Sequence, residues 1–175
     1  GFRPGAMYVI GARPGVGKTI VGLQAAYELS KSGPVTFHSL EMSKSELLNR
    51  IYAMTSGVAL GKLERGGLSD FDWQRLATAK DELAQSELAI IDKAAQTIND
   101  IRAHARTMQQ SGGLRAIVVD YLGLIQDTVP GRKRYEAITD FSVQLKAIAR
   151  DFEVPVIALA QLNRQSENRL DKAPA

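Results

Sequence analysis

The sequence predicts an α/β fold, a mostly parallel central sheet with helices on both faces. Two observations lead there. Short apolar runs rich in β-branched residues alternate with segments whose apolar residues recur at helical spacing. The run at residues 116–119 is continuously apolar, the pattern of a strand covered on both sides. A third feature, a glycine-punctuated turn, joins the first apolar run to the first helical segment.

Residues 7–10 form the first predicted strand. Residues 18–30 read as a helix, stopped by Gly33-Pro34. Residues 35–40 are the second strand. Ser43 and Glu46 have the spacing of a capping box, so a helix runs from there to about residue 55. Residues 57–67 are a glycine-punctuated connector, and Ser69 with Asp72 caps a helix reaching about residue 86. Residues 88–91 are a short strand. Ile98, Ile101, Ala105 and Met108 give an amphipathic helix over 97–111, ended by Gly112-Gly113. After the strand at 116–119, residues 126–135 read as a polar loop. Ile138, Phe141, Leu145, Ile148 and Phe152 form a further helical stripe. Residues 156–160 make the last buried strand, and 163–175 read as a polar, mobile segment.

The 175 residues suit one domain with its own core. Hydrophobic residues at 45% and charged residues at 23% exclude a disordered chain. With no cysteine there is neither a disulfide framework nor a thiolate metal site, which suits a cytoplasmic protein. No apolar run reaches membrane-helix length, so no membrane partner is expected. The net charge of +3 permits nucleic-acid binding without arguing for it. The sequence opens on Gly1 instead of Met and is read as a piece of a longer protein.

Ala12-Arg13-Pro14-Gly15-Val16-Gly17-Lys18-Thr19, followed by Ile20, has the spacing of a phosphate-binding loop between strand and helix. Its glycines let backbone N–H groups turn inward around an anion, at which the helix N-terminus also points. Lys18 reaches the β- and γ-phosphates of ATP, and the Thr19 hydroxyl is a ligand for Mg²⁺. Ala12 stands where the strict pattern has glycine. Asp120 ends the strand 117–119 and serves the same Mg²⁺.

Hydrolysis also needs a base to orient water, and Asp120 is followed by Tyr121 and Leu122, not by Glu. Glu41, at the end of the second strand, is placed either for that task or as an acid facing the next helix's dipole. Gln161, after the last strand, reads as a γ-phosphate sensor or as a polar strand end. Arg132, Lys133 and Arg134 are candidates for DNA phosphates, as is Arg164, or else a solvated charge run. No aromatic residue is interleaved among the three, so base stacking is not indicated. His38 reads as core packing, His104 as a helix-surface residue and Trp73 as a packing residue.

Together, the loop at 12–19, Ser39-Leu40-Glu41-Met42-Ser43, Val119-Asp120-Tyr121-Leu122 and the segment 154–164 resemble the C-terminal motor domain of DnaB-type replicative helicases. The resemblance spans nearly the whole chain and implies one RecA-like ATPase domain over residues 1–175. It also implies a hexameric ring on single-stranded DNA, ATP bound between subunits, and primase and loader partners. By the same match Lys18 and Thr19 hold phosphate and Mg²⁺, Glu41 activates water, Asp120 serves Mg²⁺ and Gln161 senses the γ-phosphate. A collar domain is expected before this segment, and further DNA-contacting loops with an arginine finger after it. Two other readings share the phosphate loop and sheet: a RecA/RadA-like recombination ATPase and a KaiC-like regulatory module.

Overall fold

The computed structural model describes residues 1–162, so Arg164 and the polar tail at 163–175 lie outside the described residues. Five strands form one parallel sheet: β1 (Met7–Ala12), β2 (Val35–Ser39), β3 (Leu88–Ile91), β4 (Ala116–Asp120) and β5 (Val156–Gln161). Their spatial order is β1-β5-β4-β2-β3. The helices are α1 (Lys18–Ser30), α2 (Lys44–Ser56), α3 (Leu60–Arg65), α4 (Asp70–Ala84), α5 (Ile98–Ser111) and α6 (Arg134–Asp151).

Side chains alternate across a strand, and here both sets are apolar, so the sheet buries both faces. Ala116, Val118, Ile157 and Leu159 pack with α1 and α2 on one side. Ile117, Val119, Val156 and Ala158 pack with α5 and α6 on the other. Gly22 lets α1 approach closely, since a Cβ there would come within 2.6 Å of a Leu159 methyl. This arrangement makes β4 and β5 the buried centre of the sheet and brings the ends of β1, β5, β4 and β2 to one rim. Ligands of open parallel sheets bind at that rim.

Helix starts follow the capping logic of the sequence. Ser43 with Glu46 and Ser69 with Asp72 form reciprocal boxes, and Thr97 with Asp100 forms a third at α5. The connector at 57–67 is more ordered than its glycines suggest, for it contains α3. Lys62 on α3 pairs with Asp72 at 2.8 Å, which ties the short helix to the start of α4. The loop after β4 ends at Lys133, because Arg134 and Tyr135 already belong to α6. Among the described residues, no helix is long and apolar enough to cross a membrane.

Candidate active site

The loop between β1 and α1 takes its shape from two glycines. Gly15 and Gly17 have φ of 78° and 99°, a left-handed conformation that a Cβ would strain. Gly17 caps α1 without a side chain, and the first turn holds no acid. The helix therefore keeps its N–H groups and partial positive charge for an external anion. A cavity of about 330 Å³ opens in front of them. Of the residues assigned to nucleotide contact from the sequence, Ala12, Arg13, Pro14, Gly15, Gly17, Lys18, Thr19 and Ile20 line it; Val16 does not and stands exposed.

Asp120 is fully buried behind this cavity, and each of its oxygens has a partner. Thr19 Oγ1 donates to Oδ2 at 2.6 Å. Lys18 Nζ lies 2.7 Å from Oδ1, an ion pair whose angle is not that of a hydrogen bond. Glu41 Oε2 is 3.6 Å from the same ammonium, and the Tyr121 ring lies 3.8 Å from it. Burial, with the nearby Glu41 and Asp120 charges, pushes the Tyr121 hydroxyl above its ordinary pKa, so it stays neutral. Two carboxylates against one ammonium leave this group formally negative. A hydroxyl and a carboxylate in contact are hard oxygen donors, and one or two such donors plus phosphate oxygens are what Mg²⁺ ordinarily takes from a protein. The residues present thus fit Mg²⁺ held jointly with a nucleotide.

Glu41 sits two residues beyond β2, in a turn that its neighbours fix. Ser39 Oγ donates to the Met42 carbonyl at 2.6 Å and accepts from Met42 N at 3.2 Å. Leu40 N donates to the Asp120 carbonyl at 2.8 Å, joining this turn to the end of β4. The Glu41 side chain is half exposed and lines the cavity. Gln161 pairs in register with Ala12 and lines the same cavity from the end of β5. Sequence reasoning did not single out Arg50, which lines the cavity from α2, nor the Tyr121 ring over Lys18. Neither has a signal in spacing, since only the fold brings α2 and the end of β4 to the phosphate loop.

The cations of the loop after β4 fare differently. Arg132 pairs with Asp127 at 2.6 Å and Asp140 at 2.9 Å, and Arg134 donates to the Ile125 and Gly123 carbonyls. Both hold the loop to the start of α6. Lys133 is exposed, its ammonium 6.0 Å from the Tyr135 ring.

His38 is buried, as expected, and Gln96 holds it. Gln96 Nε2 donates to the Ile91 and Lys93 carbonyls, which leaves Oε1 to accept from His38 Nδ1 at 2.7 Å. His104 is not a plain surface residue: it is half-buried, with its ring 5.5 Å from that of His38. Trp73 is 59% exposed and lines an open apolar groove with Tyr52, Leu63, Leu68 and Leu76, in contrast to the packing role expected of it.

Known proteins match the sequence and the fold along the whole chain. The family model of the DnaB-like helicase C terminal domain matches residues 1–175. The replicative DNA helicase DnaB of Leifsonia xyli subsp. xyli is 36% identical over 100% of this chain and 39% of its own length. That of Geobacillus stearothermophilus is 38% identical over 99% of this chain and likewise 39% of its own. The chain thus spans about two fifths of the relatives it matches. Among solved structures, one ATPase domain superposes with a TM-score of 0.89 at 36% identity, covering 99% of this chain and 63% of that one. A DnaB-like replicative helicase, described with its interactions with primase, gives 0.88 at 36% identity, over 99% of this chain and 43% of that one. With the match running the full length of the sequence, the chain belongs to the DnaB-like helicase C-terminal domain family.

Proposed function

We propose that residues 1–175 are one ATPase domain, the motor core of a replicative DNA helicase that couples Mg-ATP hydrolysis to 5′-to-3′ movement on single-stranded DNA. The observation that carries this reading is the convergence of Lys18, Thr19, Glu41 and Gln161 on one cavity, with Asp120 directly behind it.

In this reading the glycine loop and the start of α1 wrap the phosphates with N–H groups, and Lys18 turns from Asp120 to the outer phosphate oxygens. Thr19 and Asp120 hold Mg²⁺, which when bound withdraws negative charge from the β- and γ-phosphates. Glu41 accepts a proton from a water aligned with the γ-phosphorus. The water oxygen bonds to phosphorus as the bond to the ADP oxygen breaks, and the products are ADP and phosphate. Gln161 contacts the γ-phosphate and registers its loss. For DNA, Lys133 and Arg164 are the cations this reading assigns to phosphates, since Arg132 and Arg134 are engaged within their loop. The whole protein would be a cytoplasmic homohexamer whose neighbouring subunit supplies an arginine finger, worth about 10³–10⁵ in rate. Primase and a loader would be its replication partners.

The test is ATP hydrolysis by the parent protein with and without single-stranded DNA. Strong stimulation by DNA is expected. A rate that DNA leaves unchanged would defeat the motor reading and favour a regulatory ATP-binding module.

A further inference from the structure

The ammonium of Lys18 has three donors to place and two acidic neighbours, Asp120 at 2.7 Å and Glu41 at 3.6 Å. Neither contact has the geometry of a hydrogen bond, and among the described residues the buried ammonium has no hydrogen-bond partner. On a further side it meets the Tyr121 ring, whose centroid lies 3.8 Å from Nζ. At that distance the negative face of the ring attracts the cation without the directional demand of a hydrogen bond. Lys18 lines the nucleotide cavity and Tyr121 does not, so the ring backs the ammonium from the side away from it. Tyr121 packs instead against the core that α1 and α2 share with the sheet.

Two local features set the ring there. Leu124 N donates to the Tyr121 carbonyl at 2.9 Å, closing a tight turn directly after β4. Gly123 lies in that turn, and a Cβ on it would come within 2.7 Å of Tyr121 Cε2. Gly123 does not take the left-handed conformation, so the backbone does not call for glycine here; the room for the ring does. We infer that Tyr121 is a positioning residue for Lys18: its ring face keeps the ammonium dry and directed at the cavity, and Gly123 makes room for the ring. A carboxylate in its place would compete with phosphate for the ammonium, and an aliphatic side chain would not attract it. A π face attracts the cation and still lets it turn to a phosphate oxygen. The inference rests on the ATPase reading and deepens it, since it names what holds the phosphate-binding lysine ready.

The test measures binding of ATPγS, with Mg²⁺, to the parent protein and to forms altered at residue 121. Tyr121→Leu removes the π face and should weaken binding by about 3- to 30-fold, the range of a cation–π contact from exposed to desolvated. Tyr121→Phe keeps the face and should recover most of that loss. Phenylalanine carrying progressively more ring fluorines at this position keeps the shape while draining the negative face. Affinity should fall with each added fluorine while the urea unfolding midpoint stays in place. Gly123→Ala should weaken binding as Tyr121→Leu does, and the two changes together should cost no more than either alone. Full affinity in Tyr121→Leu, an equal loss in Tyr121→Leu and Tyr121→Phe, or indifference to fluorination overturns the role of the ring. The fluorinated series decides alone if the leucine variant does not fold. If the wild type binds no ATPγS, the ATPase reading itself falls, an outcome distinct from a wild type that binds it and ignores the electronics of the ring.

Discussion

Replacing Glu41 by Gln is expected to lower ATP turnover by about 10²–10⁴-fold while leaving nucleotide affinity nearly intact. The reason is that the site holds two carboxylates with different freedom. Asp120 is fully buried behind Thr19 and Lys18 and does not line the cavity where water would stand. Glu41 is half exposed, lies 3.6 Å from Lys18, and opens onto the cavity. Glutamine keeps the shape of the side chain and its turn but removes the proton acceptor. Turnover and ATPγS affinity measured side by side on the parent protein separate chemistry from binding. Full turnover in the variant would place the base elsewhere.

Acidification is expected to remove about 3 kcal/mol of folding stability through His38 alone. Burial pushes this imidazole down to about 4 from its ordinary 6.5; the Gln96 hydrogen bond opposes the shift, and the neighbouring His104 adds to it. Gln96 fixes the proton on Nδ1, and Nε2 is buried without a partner, so the ring is held neutral in the fold. The other charged group acting on it is Asp100 at the start of α5, which works weakly in the opposite direction. Below pH 6.5 the unfolded chain takes up a proton that the folded chain refuses until about pH 4. Stability is therefore intact above the first value and falls progressively between the two. Urea unfolding of the wild type across this window should show the slope. The variant His38→Asn, which can still donate to Gln96 but does not titrate, should lose it. An unchanged slope in the variant would assign the acid sensitivity to other groups.

The parts of the fold that were readable in the sequence are those whose energetics are local or periodic. Strands β4 and β5 declare themselves because a strand buried on both faces must be apolar at every position, as Ile117–Val119 and Val156–Ala158 are. The Ser43 and Ser69 boxes are legible because caps act within four residues. Helix α3 is not, since it buries no side chain and so has no apolar stripe; its anchor is Lys62 reaching across to Asp72. The start of α6 gives no signal either, as Lys133 caps it without a side-chain bond. The same division holds in the site. The phosphate loop is contiguous and its glycines are diagnostic, and nucleotide binding follows from the family to which the chain belongs. Arg50, Tyr121 and the engagement of Arg132 by Asp127 and Asp140 depend on segments that only tertiary structure brings together. The three consecutive cations looked equivalent in sequence, but the loop geometry gives two of them internal work and leaves Lys133 to solvent.

Asp120 shares itself between a hydroxyl and an ammonium. Whatever draws Lys18 toward a phosphate leaves one buried carboxylate oxygen without its cation, a costly state that another positive charge would relieve. On the Mg-ATP reading, uptake of phosphate and uptake of a divalent cation at this carboxylate would therefore be linked equilibria. Such linkage is reciprocal, each raising the affinity for the other by the same factor. The domain would then respond to the concentration of the metal–nucleotide complex more steeply than to that of either component, a cooperativity that resides in a single side chain.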